Sequence, residues 1–218
     1  MTTHLQKELE KIKKMLLSLG TMVEERVRMA ILAVEEFDGE IAQKIISSDY
    51  EIDDMEVEIE EECLKAMALY QPVAVDLRFL VTVVKMNNDL ERIGDQAVNI
   101  AQRMHTISKK EGPGFIFDYS EMAQKAESML KMSLDALVNL DLDIAYKVLE
   151  LDDQVDEMQK EAYRLIKRAM PRYPDNVGYL INLLLVSRHL ERLADHATNI
   201  AEDVIYMIEG EIIRHVKS

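Results

Sequence analysis

The sequence has 218 residues, enough to bury a substantial core, and its acidic residues outnumber the basic ones 41 to 26. A formal net charge of -15 repels phosphate backbones and therefore argues against direct nucleic-acid binding. A single cysteine excludes an intramolecular disulfide framework and a Cys-based zinc site, and few Gly, Pro and aromatic residues disfavour a sheet.

Helical periodicity covers almost the whole chain, because apolar residues recur at three- and four-residue steps. Gly39 marks the first turn, Pro72 suits the first turn of a helix, and Pro171 and Pro174 bracket a later break. Six long helices are predicted, at about 5–37, 40–70, 72–108, 119–140, 143–169 and 176–209. Helices of this length joined by short turns are typical of antiparallel bundles.

The second half of the chain repeats the first. Residues 88–102 (NDLERIGDQAVNIAQ) and 188–202 (RHLERLADHATNIAE) are identical at eight of fifteen positions. The preceding helices match at an offset of 103, which aligns Asp38 with Asp141. Because the match spans two elements in the same order, we infer the duplication of a three-helix unit.

This duplication predicts an all-α fold of two similar antiparallel three-helix bundles. We expect the first bundle in residues 1–110 and the second in residues 119–218. The segment between them, 111–118, includes Gly112 and Pro113 and is the predicted linker. The N-terminal residues lack an apolar signal core, and no stretch approaches 18 apolar residues, so we expect a cytoplasmic protein.

Acidic pairs spaced four residues apart recur at matching places in the two halves. Residues at this spacing share a helix face, and the opposite face of the third helix carries apolar residues such as Leu90 and Ile93. We therefore expect neighbouring helices to present two rows of carboxylates on the outer surface. The acids are Asp49, Asp53, Glu91 and Asp95 in the first half, and Asp152, Asp156, Glu191 and Asp195 in the second.

Carboxylates from two helices supply the hard oxygen ligands that Mg, Mn, Ca and Fe prefer. Acidic pairs also arise by chance in so acidic a chain, so a solvated surface without metal is the alternative. Recurrence in both halves, together with Asn99 and Asn199 one turn further on, favours metal binding. Arg92 and Arg192 lie beside these acids, where local ion pairs are expected.

The histidines and the cysteine give weaker signals. His189 and His196 flank two of the acids, but the first half has Asp89 and Gln96 at the equivalent positions, so the repeat does not support a shared histidine ligand. Cys63 has apolar helical neighbours, and we expect a small core residue there. No nucleophile–base spacing or phosphate-binding loop is present, so no catalytic residue is predicted.

Residues 71–101 (QPVAVDLRFLVTVVKMNNDLERIGDQAVNIA) and 187–203 (SRHLERLADHATNIAED) closely resemble the PhoU family of phosphate-transport regulators. The resemblance extends over essentially the whole chain. It implies multinuclear metal clusters of iron, zinc, manganese or magnesium at the eight acids above, with the two asparagines as secondary candidates. Because Asp89 in the first half is replaced by His189 in the second, we expect the two sites to differ in occupancy or metal.

The resemblance also implies a function. Proteins of this family restrain the phosphate-specific ABC transporter and its partner sensor histidine kinase when phosphate is plentiful. The implied partners are the transporter's ATPase subunit and that kinase, with membrane association only through them, and a homodimer is expected. The competing interpretations are a structural helical module without metal, and a carboxylate-based metalloenzyme or metal store; the latter is disfavoured because the acids face outward rather than into a bundle core.

Overall fold

The computed structural model of the protein describes residues 3–48, 50–110, 112–114 and 117–211. These residues form α-helices and no strand, which confirms the all-α prediction. The α-helices are α1 (Thr3–Glu35), α2 (Gly39–Ser47), α3 (Tyr50–Tyr70), α4 (Val75–Ser108), α5 (Ser120–Asn139), α6 (Leu142–Ala169) and α7 (Val177–Glu209), with short 3-10 turns at Met170–Arg172 and Pro174–Asn176.

The predicted helix 40–70 is present as two segments, α2 and α3, that together occupy its place in the bundle. Arg26 of α1 donates a hydrogen bond to the Ser48 carbonyl at the end of α2, and thus satisfies an acceptor that the helix leaves open. A second difference concerns α4, which begins at Val75 rather than in the turn of Pro72, because the preceding Ala74 has a φ of 50°.

The helices pack as two units, and the first contains four α-helices because α2 and α3 take the place of one predicted helix. In the first, α1 and α4 contact each other and both α2 and α3; in the second, α5, α6 and α7 contact one another. The units are joined where α4 packs on α7 and α1 packs on α5. The predicted core row of α1 is buried throughout, at Leu5, Leu9, Ile12, Leu16, Leu19, Val23, Val27, Ala30 and Val34.

The apolar residues of all these helices form a shared hydrophobic cluster. Cys63 belongs to it and is fully buried, as predicted. In the part of the chain that the structure describes, no helix combines the length and apolar character needed to cross a membrane.

The repeat extends to the turn that precedes the second helical element of each unit. Phe37 and Leu140, which are equivalent residues, have φ values of 57° and 52°. The next residue in each unit, Asp38 or Asp141, then caps the following helix. The Asp38 side chain accepts hydrogen bonds from two backbone N–H groups, and Asp141 accepts one from Ile144.

The close approach of α3 to α4 depends on Gly94. A Cβ atom on this glycine would lie 3.1 Å from Cδ1 of Ile52, so a side chain there would push α3 away. The corresponding residues of the second unit are Val155, which is smaller than Ile52, and Ala194, which is larger than Gly94. Both combinations let α3 lie close to α4 and α6 lie close to α7.

Candidate metal centre

Two cavities lie along the contact between α4 and α7, and two of the predicted acids, Asp152 and Asp195, line one of them. One has a volume of about 640 Å³ and is bounded by α3; the other has a volume of about 600 Å³ and is bounded by α6. Asn199 lines both. The contact of the two units therefore creates two open cavities, one of which includes Asp195 of the second unit's Glu-x-x-x-Asp motif.

In the second unit, Asp156 of α6 lies beside Glu191 and Asp195 of α7. One carboxylate oxygen from each of these three residues lies within 4.8 Å of the others. Within the described residues, this is the one group of three or more potential metal ligands that is so compact. Two of these side chains are partly buried and Asp195 is more exposed, so the cluster remains open to solvent.

The fourth predicted acid of this unit, Asp152, lies next to the cluster. Its Oδ1 atom accepts a hydrogen bond of 3.0 Å from the Thr198 hydroxyl, and its carboxylate lines the same cavity as Asp195. Burial raises the pKa of Asp152, the Thr198 hydrogen bond lowers it, and the negative charge of Asp156 raises it again. The hydrogen bond orients this carboxylate without neutralising it.

Repulsion within the cluster is visible in the pKa values of its acids. The pKa of Glu191 is raised first by burial and then by the negative charges of Asp195 and Asp156. The pKa of Asp195 is raised first by burial and then by Asp152 and Asp156. Like charges in a partly water-excluded site disfavour each other's ionisation, and a bound cation relieves this repulsion.

The first unit gathers its acids less tightly. The pKa of Glu91 is raised first by burial and then by the negative charge of Asp95. The charge of Arg92 lowers this pKa, and that of Asp53 raises it. Asp53, Glu91 and Asp95 therefore share one electrostatic environment. The Arg92 guanidinium lies 3.3 Å from Oδ2 of Asp95 and 3.4 Å from Oε2 of Glu91, as the expected local ion pair. The remaining predicted ligand, Asp49, lies outside the described residues.

The donor chemistry of both places fits a hard metal ion. Carboxylate oxygens converge from α6 and α7 in the second unit. In the first unit, Oε2 of Glu91 is buried and accepts no hydrogen bond, although the Arg92 guanidinium lies 3.4 Å away. A coordinated cation would satisfy this buried oxygen better than the longer contact with Arg92. Asp152, Asp156, Glu191 and Asp195 would hold a metal in the second unit, and Asp53, Glu91 and Asp95 in the first.

The two histidines make hydrogen bonds between the units. Nδ1 of His196 donates to Oδ1 of Asp89 at 2.8 Å, and Nδ1 of His189 donates to Oε1 of Gln96 at 2.9 Å. These contacts are equivalent under the repeat, since position 89 corresponds to 189 and position 96 to 196. Asn199, a secondary metal candidate, also donates to Asp89, at 3.1 Å.

These pairs belong to a longer pattern that we call the polar seam. Its residues recur every seven positions on the facing sides of α4 and α7, and all are polar and at least partly buried. Sequence reasoning did not identify it, although seven-residue spacing of polar residues in otherwise apolar helices was the available signal. The seam consists of Thr82, Asp89, Gln96 and Arg103 on α4, and Asn182, His189, His196 and Asp203 on α7.

The chain matches a family model described as the PhoU domain twice, over residues 16–104 and 119–204. A phosphate-specific transport system accessory protein PhoU homolog of Clostridium acetobutylicum is 38% identical over 207 residues, which cover 94% of each protein. A relative of the same name from Pseudomonas aeruginosa is 36% identical over 210 residues, or 96% of this chain and 87% of the relative.

Two solved structures share the fold over nearly their whole length. The crystal structure of PhoU from Pseudomonas aeruginosa superposes with a TM-score of 0.89 at 36% identity, covering 94% of this chain and 99% of that one. The phosphate transport system regulatory protein PhoU from Streptococcus pneumoniae has a TM-score of 0.83 at 29% identity, covering 96% of this chain and 99% of that one.

Proposed function

The chain belongs to the PhoU family of phosphate-transport accessory proteins, and on this premise we propose that it is a metal-binding negative regulator of phosphate uptake. It acts as a cytoplasmic adaptor between the ATPase subunit of the phosphate-specific ABC transporter and a phosphate-sensing histidine kinase. When phosphate is plentiful, it keeps the transporter and the starvation response restrained. Its relatives are named as accessory or regulatory proteins, and the chain is accordingly not an enzyme.

The observation that carries the metal-binding part of the proposal is the trio of Asp156, Glu191 and Asp195. Three carboxylates with oxygens within 4.8 Å of one another repel, and their raised pKa values reflect that repulsion. A divalent or trivalent ion such as Fe, Zn, Mn or Mg would neutralise the cluster. The first unit would hold a second centre at Asp53, Glu91 and Asp95, with Asp49 as a further predicted ligand.

The adaptor mechanism is differential binding. A protein that binds one conformational state of the transporter or kinase more tightly than the other shifts the equilibrium toward that state. Bound metal would neutralise the repelling carboxylates on α4, α6 and α7 and so give the docking surface a fixed shape and charge. We expect the regulator to act as a homodimer.

A carboxylate-based metalloenzyme or metal store is the less favoured alternative. Sites of that kind lie inside a four-helix bundle with Glu-x-x-His motifs directed into its core. Here the second acid follows at the fourth position, and Asp195 lines an open surface cavity. No observation on this chain favours the alternative over the regulator.

The metal content of the purified protein tests the first part of the proposal. The wild type is expected to retain metal after gel filtration, and Asp156→Asn combined with Asp195→Asn is expected to lose the second-unit ion. Glu150→Gln, which removes a charge from an exposed residue of α6, is the matched control and should retain metal. Metal contents that are equal and near zero in all three proteins would support a solvated acidic surface instead.

Partner binding tests the second part. The tagged chain is expected to capture the transporter ATPase subunit and the kinase from the same organism. Deletion of the gene is expected to switch on the starvation response in phosphate-rich medium, and the wild-type gene should restore repression. Capture of neither partner, with an unchanged response after deletion, would refute the adaptor mechanism whatever the metal content.

A further inference from the structure

The cavity of about 600 Å³ between α4, α6 and α7 is lined by charges of both signs, and we call it the central pocket. Arg92 and Arg192, equivalent residues of the two repeats, both line it. Asp152 and Asp195 of the second-unit acidic cluster line it as well. The residues that define the pocket are Arg92, Gln96, Asp152, Arg192, Asp195 and His196.

The hydrogen-bond donors that line the pocket have capacity for a ligand. Arg192 makes no salt bridge with a carboxylate of the described residues, and Arg92 has two contacts of 3.3 and 3.4 Å with its side chain half exposed. The Oε1 atom of Gln96 accepts the hydrogen bond from His189, so its amide NH₂ group remains a donor. Two guanidinium groups and an amide thus face the same pocket.

Further arginines lie near this pocket. The positive charges of Arg103, Arg188 and Arg192 all act on His189, which makes a hydrogen bond of 2.9 Å to Gln96 of the pocket.

We propose that the central pocket binds a phosphoryl-type oxyanion beside the metal of the second unit. This inference rests on the metal binding proposed above. Without metal, the charges of Arg92 and Arg192 are balanced by those of Asp152 and Asp195. Once bound metal neutralises the carboxylates of the cluster, they no longer offset the two arginines, and the guanidinium groups are available to an anion.

The chemistry of the donors selects the ligand class. The planar guanidinium group donates two parallel hydrogen bonds to phosphate oxygens, and such charge-assisted bonds are about twice as strong as neutral ones. Two arginines match the charge of a phosphate dianion. The phosphoryl group has two possible sources, free orthophosphate and the terminal phosphate of a nucleotide, and both would use the same donors.

Equilibrium dialysis with orthophosphate tests the proposal on protein loaded with Mn²⁺ and freed of excess metal. The wild type is expected to bind phosphate only when loaded. Arg192→Met is expected to weaken binding about tenfold or more while bound Mn²⁺, measured separately, stays the same. Arg192→Lys, which keeps the charge but loses the guanidinium fork, should bind with intermediate affinity.

Arg188→Met is the matched control. It removes the same charge one turn away, and both arginines lower the pKa of Glu191, but Arg188 does not line the pocket. Its phosphate affinity should remain within about twofold of the wild type. Equal losses in Arg188→Met and Arg192→Met would show a general charge effect, and loss in neither would show that phosphate contacts the metal alone; both results would overturn the pocket.

A parallel dialysis with ATP distinguishes the two sources. Tighter, Arg192-dependent binding of ATP than of orthophosphate would identify a nucleotide ligand, and the reverse order would identify free phosphate. Loaded protein that binds neither refutes the inference and leaves the metal site standing. Protein that binds neither Mn²⁺ nor Fe, Zn or Mg ions refutes the proposed metal function and this inference together, and the metal measurement separates the two failures.

Discussion

His196 of the second unit donates its Nδ1–H to Oδ1 of Asp89 in the first unit, at 2.8 Å. An ionised carboxylate can only accept, so this contact assigns the proton to Nδ1 whatever the charge of the ring. The repeat-related contact, from His189 to Gln96, lies two helical turns further along the same interface. The two contacts together join α4 to α7 by polar groups rather than by apolar packing alone.

Removal of either partner should destabilise the joint between the units. Asp89→Ala or His196→Ala is expected to lower the free energy of unfolding by about 1–3 kcal/mol, because a partly buried polar group loses its partner. The double variant should show a coupling energy of about 1–2 kcal/mol in urea unfolding. Reversing the pair, Asp89→His with His196→Asp, should recover part of the loss. Simple additivity of the two single substitutions would mean that the contact contributes nothing.

The acidic cluster predicts a pH dependence for the metal-free protein. The pKa values of Glu191 and Asp195 are raised by burial and by neighbouring acids, so the folded state binds protons more readily than the unfolded state. Stability should therefore rise as the pH falls from 7 toward the ordinary carboxyl pKa values, and decline as the pH rises again. Asp195→Asn should be more stable than the wild type at pH 7, by no more than about 1 kcal/mol because water screens these groups.

Thermal unfolding in chelator at pH 5, 6 and 7 measures this dependence. The difference between the wild type and Asp195→Asn should shrink as the pH falls. With metal present the order should reverse at pH 7, because ligand binding to the folded state stabilises only the protein that retains the site. A stability difference that is constant across the three pH values would exclude charge repulsion as its cause.

The two units should differ in metal affinity. Arg92 contacts both Glu91 and Asp95, whereas Arg192 makes no salt bridge with the described carboxylates of the second unit. A metal in the first unit must therefore compete with a guanidinium group. At limiting metal, Asp195→Asn is expected to lose more bound ion than Asp95→Asn, as measured by elemental analysis. Arg92→Met should bring the affinities closer together, and no change in that variant would exclude Arg92 as the cause.

The two equivalent turns should respond oppositely to glycine. Leu140 is half exposed and has a φ of 52°, so Leu140→Gly should raise stability by about 0.5 kcal/mol through relief of backbone strain. Phe37 has a φ of 57° but stacks on Tyr179 with ring centroids 6.4 Å apart. Phe37→Gly should therefore lower stability, by about 1–3 kcal/mol, as this packing is lost. Thermal unfolding of the two variants compares them directly, and a shift of the same sign in both would contradict the argument.

The helices and the duplication were predictable from the sequence because both depend on local patterns. Apolar residues at three- and four-residue steps place a core face on each helix, and the row in α1 from Leu5 to Val34 is buried as expected. The break at Ser48 was not predictable, since no Gly or Pro marks it and Arg26, a residue of another helix, satisfies the exposed carbonyl. The start of α4 at Val75 was not predicted. Proline is favoured in the first turn of a helix, and Pro72 alone gives no sign that the helix begins three residues later.

The acids of the candidate site were identified by their recurrence, and the structure brings Asp156, Glu191 and Asp195 together. Their metal ligation stays a prediction. The partners of His189 and His196 were not predictable, because they depend on how one unit docks on the other. A histidine beside acids looks the same in sequence whether it binds a metal or a carboxylate on the opposite helix.

The polar seam gives the two halves different chemical roles at their contact. If two first halves met through α4 in the same register, each Asp89 would face a Gln96, whose amide would donate in place of an imidazole. If two second halves met through α7, each His189 would face a His196, and no carboxylate would accept. The carboxylate of this contact therefore comes only from the first half, and the imidazole only from the second, as between two different subunits that share one chain.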